Sequence, residues 1–167
     1  LKTAPASEHL RGAMLAGAAR VGAVAEDRRK ARAGASRRYP PDDVAAFAPH
    51  VLLELDGLRT GLEAERDPAV RSALHLVLSS ILIKVSRRAG DTSERGREPR
   101  IAAGYPSRLF VKKAEELVRR LAEIAPLLAE GPEARVLEGD ARELEGVGAG
   151  SVDLVVTSPP YPGVYDY

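Results

Sequence analysis

Four consecutive residues, Ser158-Pro159-Pro160-Tyr161, are the ones best suited to chemistry. Both prolines keep a carbonyl and lack an N–H, so a turn built on them presents acceptors without competing donors. The Ser158 hydroxyl and the Pro159 carbonyl can accept the two hydrogens of an exocyclic amine. Tyr161 offers a ring face on which a planar base can stack, worth about 1–3 kcal/mol. An amine held this way is drawn toward tetrahedral geometry, which localises a lone pair otherwise delocalised into the base. That nitrogen can then attack an electrophilic carbon. A base modified like this must first leave the helical stack. The plainer alternative is a strand that ends in a proline-rich surface turn.

The elements needed to position those residues are legible upstream. Leu154-Val155-Val156 is a short, apolar, β-branched run and predicts a buried strand over residues 152–157. In open α/β sheets the carboxyl ends of strands face the ligand crevice. Residues 134–137 read as another strand and residues 141–144 as a short helix, behind a domain boundary at Gly131-Pro132. Gly146-Val-Gly-Ala-Gly150 has the composition of a nucleotide-binding loop. Such a loop follows a strand and opens a helix. This one follows the expected helix and opens the expected strand, so it reads as a connector.

With its flanks, this region resembles the amino-methyltransferases of DNA, which methylate exocyclic nitrogens using S-adenosylmethionine. The resemblance runs from Val136-Leu-Glu-Gly-Asp140 through Ser151-Val-Asp-Leu-Val-Val-Thr-Ser-Pro-Pro-Tyr161 to Asp166-Tyr167. It covers about the last fifth of the chain. Serine at the head of the motif is most like the subgroup that acts on N4 of cytosine. Of the subgroup's continuation, Gly163, Asp166 and Tyr167 fit, whereas Pro162 and Tyr165 depart from it. The resemblance implies that Ser158, Pro159, Pro160 and Tyr161 are catalytic, with Asp140 and Thr157 beside the cofactor. It also implies double-stranded DNA as the substrate and is compatible with a restriction endonuclease partner. The fold it implies is α/β: a helical N-terminal region, then the first strands of an incomplete Rossmann-like methyltransferase sheet. The family's Phe-x-Gly-x-Gly donor loop is absent. With Leu1 in first place and a stop just after the motif, the chain reads as a fragment of a longer protein, inactive by itself.

Composition narrows the chemistry. There is no cysteine, so disulfides, Cys-based zinc sites and the nucleophile needed for methylation at C5 of cytosine are all excluded within this segment. The net charge of +1 argues neither for nor against a polyanionic partner. No run approaches the roughly 20 apolar residues of a membrane span and no signal peptide is visible, so a cytoplasmic protein is expected.

The rest of the chain divides by composition into residues 1–40, 41–130 and 131–167. Residues 1–40, rich in Ala, Gly and Arg, read as a basic, mobile segment with a weak helix over Leu10–Val24. In 41–130, Asp42 or Asp43 can cap a helix carrying Val44, Phe47, Val51, Leu52, Leu55 and Leu58. Asp67-Pro68 opens a second helix, apolar nearly all round, with His75 as a core histidine. Ser107 caps a third, which runs to about Leu128. Residues 84–113 are predominantly basic, and Lys84, Arg87 and Arg88 are candidates for phosphate contacts. A solvated linker is the equal alternative. Two other functions remain open: methylation of adenine N6 or of an RNA or protein amine, and a non-catalytic helical nucleic-acid-binding module.

Overall fold

In the computed structural model, residues 7–87, 100–129, 135–140 and 142–157 are described. They contain helices and no strand. The chain divides into a helical unit, residues 4–132, and a second unit covering 133–167.

The helical unit is organised around the segment expected to be mobile. Ser7 caps α1 (Glu8–Lys30) by accepting the Leu10 N–H at 3.1 Å. Arg28, Arg29 and Lys30 in the last turn complement the negative end of its dipole. Met14, Gly17, Ala18, Val21, Gly22 and Ala25 form one buried face. Composition suggested a weak helix here because glycine is a poor helix former. Two of the three glycines lie where neighbours come close, so what they cost in propensity is offset by packing. A Cβ on Gly17 would stand 2.8 Å from Val70 Cγ1, and one on Gly22 2.8 Å from Val111 Cγ2.

The first predicted helix of residues 41–130 is two helices, α2 (Pro41–Ala46) and α3 (Pro49–Ala64). Pro49 makes the break: the residue before a proline is pushed out of the α region, and Ala48 sits at φ −65°, ψ 145°. α3 lays Gly57 and Gly61 against α1. A Cβ on Gly57 would stand 2.8 Å from Ala25 Cα, which is backbone and cannot swing aside. Gly57→Ala is therefore expected to destabilise the unit although helix propensity alone favours it by about 1 kcal/mol, because overpacking costs about 1–3 kcal/mol. Gly12→Ala is the control, since a Cβ there meets nothing within 4 Å. Urea unfolding should give opposite signs for the two, and equal stabilisation by both would refute the close approach.

α4 (Pro68–Val85) begins as its sequence predicts, with Asp67 Oδ1 accepting from the N–H groups of Ala69 (2.8 Å) and Val70 (3.2 Å). It is not buried all round. Val70, Leu74, Val77, Ile81 and Val85 face the core, whereas Leu76 and Ile83 are exposed, and so is His75. With 18 residues at a mean hydropathy of 1.4, α4 is long and apolar enough to cross a membrane by length and composition. This corrects the expectation from sequence that no run approaches that length. Here the helix inserts one face into the bundle core, in contact with α1, α3 and α5.

α5 (Tyr105–Ala129) starts before the serine expected to cap it. It buries Leu109, Phe110, Ala114 and Val118, with Leu117 and Leu121 partly covered. Beyond them Ile124, Leu127 and Leu128 are exposed, so the last two turns of the helix carry apolar residues outside the core.

The predicted α/β sheet is not present among the described residues, which corrects the fold class. Residues 135–138 and 152–157 carry no strand. Val136 is 76% exposed, and Leu154, Val155 and Val156 are 77%, 76% and 87% exposed. An extended run becomes a strand only when a neighbour takes its ladder hydrogen bonds, and even two paired strands are marginal alone. Neither run has such a neighbour among the described residues. In place of the short helix, the Glu143 and Leu144 N–H groups close one turn on the Asp140 carbonyl at 3.0 and 3.1 Å. Leu144 then turns left-handed at φ +49°.

Candidate functional site

Of the residues the sequence nominated for catalysis, Ser158, Pro159, Pro160 and Tyr161 lie outside the described residues, as does Arg88. Asp140 is described and committed elsewhere: its Oδ1 accepts the Arg142 N–H at 2.9 Å, and both carboxylate oxygens meet the Arg142 guanidinium. The guanidinium, helped by that backbone N–H, holds the Asp140 carboxyl below its ordinary range. Thr157 is exposed, and no hydrogen bond joins it to Asp140 among the described residues. Lys84 and Arg87 are both exposed. The Arg87 N–H donates to the Ala46 carbonyl at 2.8 Å, anchoring the end of α4 beside α2. Ser86 is a helix-end residue, its hydroxyl donating to the Ile83 carbonyl at 2.9 Å. Gly146 and Gly150 adopt φ +83° and +69° in successive turns, as a connector requires.

The polar chemistry of the helical unit is concentrated on three acidic residues that sequence reasoning passed over. Asp56, with none of its side chain exposed, receives four hydrogen bonds. Oδ1 accepts from the Ser36 hydroxyl (2.6 Å) and the Tyr39 hydroxyl (2.7 Å). Oδ2 accepts from the Ser36 N–H (2.8 Å) and Arg28 Nη2 (2.9 Å). Residues 31–40 are therefore tied to α3 through one carboxylate. Burial alone would raise the Asp56 carboxyl, but the two hydroxyls, the amide and the Arg28 charge outweigh it and hold it below its ordinary 3.8. The same burial and bond raise the Tyr39 phenol.

A depressed carboxyl contributes stability that is fully present above its unfolded value and is lost as pH falls through the folded one. Glu65, lowered by Arg20 at 2.6 Å and by the Asp67 and Arg66 N–H groups, acts in the same direction. The urea midpoint is thus expected to be level near neutrality and to fall from about pH 5 downward. Asp56→Asn should flatten that acid limb. A midpoint independent of pH between 7 and 3 would remove these carboxylates from the account.

Glu54, buried at 2% exposure, takes the Gly104 N–H on Oε1 at 2.5 Å and the Ser107 hydroxyl on Oε2 at 3.3 Å. Ser107 is thus not a cap; it fastens the start of α5 to α3. A signal for Glu54 and Glu65 was available. They lie three residues beyond Val51 and Leu62, on the helical stripe of Val51, Leu55, Leu58 and Leu62, where an acidic group is buried and must be satisfied.

Beside Glu54 lies a cavity of about 220 Å³, with Arg28, Arg29, Arg32, His50 and Ala103 among its walls. The His50 Nε2–H donates to the Ile101 carbonyl at 2.8 Å, which sets the ring's tautomer. No group of three or more His, Asp or Glu side chains poised to hold a metal occurs among the described residues. Comparison with protein-family models, with curated proteins and with solved structures finds no match for the chain.

Proposed function

We propose that the chain belongs to an enzyme that transfers a methyl group from S-adenosylmethionine to an exocyclic amine of a DNA base. The favoured target is N4 of cytosine, in a base flipped out of the duplex. The observation that carries this reading is the run Ser151-Val-Asp-Leu-Val-Val-Thr-Ser-Pro-Pro-Tyr161 behind Gly139-Asp140. Ser158 and the Pro159 carbonyl accept the amine hydrogens, and Tyr161 stacks on the base. The exposed Leu154-Val155-Val156 run beside the motif leaves apolar surface still to be covered. The reading rests on these residue types and their spacing; it does not rest on a sheet.

The described residues do not assemble a site for the methyl donor, because Asp140 is held by Arg142 and Thr157 stands apart in the open. What the chain's own residues contribute is orientation of the amine and exclusion of competing donors from its neighbourhood.

Nucleoside mass spectrometry on host DNA, after expression of the full open reading frame that encodes these residues, tests the proposal. N4-methylcytosine is the expected mark. N6-methyladenine would keep the motif's role and change the base. Neither mark, together with no binding of S-adenosylmethionine, would overturn the reading and leave a non-catalytic helical nucleic-acid-binding module, which the cationic cavity by Glu54 would suit.

A further inference from the structure

The 220 Å³ cavity is smaller than the roughly 300–1,000 Å³ of pockets that enclose whole small molecules, so it has room only for a small group. Its walls carry three arginines, Arg28, Arg29 and Arg32, against one carboxylate, Glu54, which keeps its charge although its oxygens are hydrogen-bonded. Arg28 is paired with Asp56 and Arg29 with Glu26, while the Glu54 carboxylate is satisfied by Gly104 and Ser107. Arg32 has no ion-pair partner among the described residues, and neither has Arg108 nearby. The Arg108 guanidinium comes within 2.7 Å, and Arg29 Nε within 3.8 Å, of where a Cβ on Gly104 would stand. Two cationic groups thus flank the glycine that follows wall residue Ala103. The wall at His50 is in the first turn of α3, whose N-terminus has no side-chain cap and whose dipole favours negative charge.

Arg32 is also in an unexpected conformation. The Ala33 N–H bonds the Arg28 carbonyl (2.9 Å) and the Arg32 N–H bonds the Arg29 carbonyl (3.0 Å), the paired bonds of a Schellman ending. That ending places Arg32 left-handed at φ +51°, where glycine is the favoured residue. The cations of the last turn of α1 are accounted for by the helix dipole. An arginine beyond the helix end, held in a strained conformation, is not. Strained residues of this kind cluster at functional sites.

We propose that this cavity binds a phosphate group, with Arg32 as its principal ligand and Arg108 as an auxiliary cation. A guanidinium matches a phosphate with paired, charge-assisted hydrogen bonds. A nucleic-acid phosphodiester and a free phosphate share that chemistry. The site stands on the helical unit and is independent of methyl transfer, so either reading can fail alone.

The experiment uses the full chain, with thermal unfolding and calorimetric titration of inorganic phosphate against sodium chloride of matched ionic strength, which removes general screening. Phosphate is expected to raise the Tm of the wild type above the chloride control. Arg32→Gly should raise the Tm without phosphate, because the strain is relieved. It should also weaken the phosphate Kd by about tenfold or more, the scale of one lost charge-assisted contact. Arg108→Ala should weaken binding without raising the Tm. A single-stranded oligonucleotide that displaces phosphate would assign the site to nucleic-acid backbone, and one that does not would assign it to free phosphate. Equal phosphate responses in wild type and Arg32→Gly, or none beyond chloride in the wild type, would overturn the proposal.

Discussion

Asp56→Ala is expected to cost about 3–5 kcal/mol of unfolding free energy, the range for breaking a buried pair by removing one partner. The substitution leaves the Arg28 guanidinium, only 26% exposed, without its counter-charge. It also strands the Ser36 N–H and hydroxyl and the Tyr39 hydroxyl, all now bonded to that carboxylate. Most of the loss is the cost of leaving the half-buried Arg28 guanidinium and Tyr39 hydroxyl unpaired, since the Ser36 groups are exposed and can turn to water. With a typical domain stability of about 5–15 kcal/mol, the Tm should fall by roughly 10 °C. Asp56→Asn keeps the shape and two acceptor lone pairs, and should cost distinctly less. A double cycle with Arg28→Met would isolate the pair: if the two changes simply add, Asp56 and Arg28 are not coupled. The loop should respond as well, since residues 31–40 reach α3 through this carboxylate. Amide exchange at Ser36 in the alanine variant is expected to rise toward that of an unprotected loop. An alanine variant of near wild-type stability would show that Asp56 is not the hub of this packing.

The second large effect concerns the motif. On the methyl-transfer reading, Ser158→Ala removes one of two acceptors that orient the amine, and a loss of about 10²–10³-fold in kcat is expected, the scale for deleting one preorganised hydrogen bond. KM for DNA should change little, because the contact matters most as the nitrogen becomes tetrahedral. The measurement is methyl incorporation into a cytosine-containing duplex by the product of the full open reading frame. A stability difference would not mimic this pattern, since partial unfolding lowers the active fraction without selecting kcat per folded enzyme. An unchanged kcat in a folded Ser158→Ala protein would remove the serine from the chemistry, whatever the fate of the methyl mark.

Local structure in the helical unit was largely readable. Asp67-Pro68 announced the start of α4 through a cap and a pre-set φ, and both act within four residues of the helix they begin. Pro49 breaks the chain between α2 and α3, whereas the apolar spacing across it suggested a single helix. Glu54 lay on the buried stripe of α3, and a carboxylate there had to have donors, though no spacing rule could say they would be Gly104 and Ser107. The exposure of His75 was hidden for a related reason. An apolar composition on both sides of α4 says what a helix can bury, and only its neighbours settle which face is covered.

What the sequence determined by itself was chemical and local: the absence of cysteine, the capping of α4, the apolar periodicities and the Ser158-Pro-Pro-Tyr161 run with its suitability for an amine. Tertiary structure decided the rest. α1 became the centre of the bundle because Gly17, Gly22, Gly57 and Gly61 let helices approach closely, which outweighs a propensity that argued against it. Residues 152–157 stayed outside any sheet among the described residues because a strand exists only as half of a pair. The cationic cavity likewise required α1, α3 and the chain before α5 to converge. Propensity, capping and residue chemistry act over a few positions of chain, whereas burial, pairing and the meeting of distant charges depend on partners that no local pattern can name.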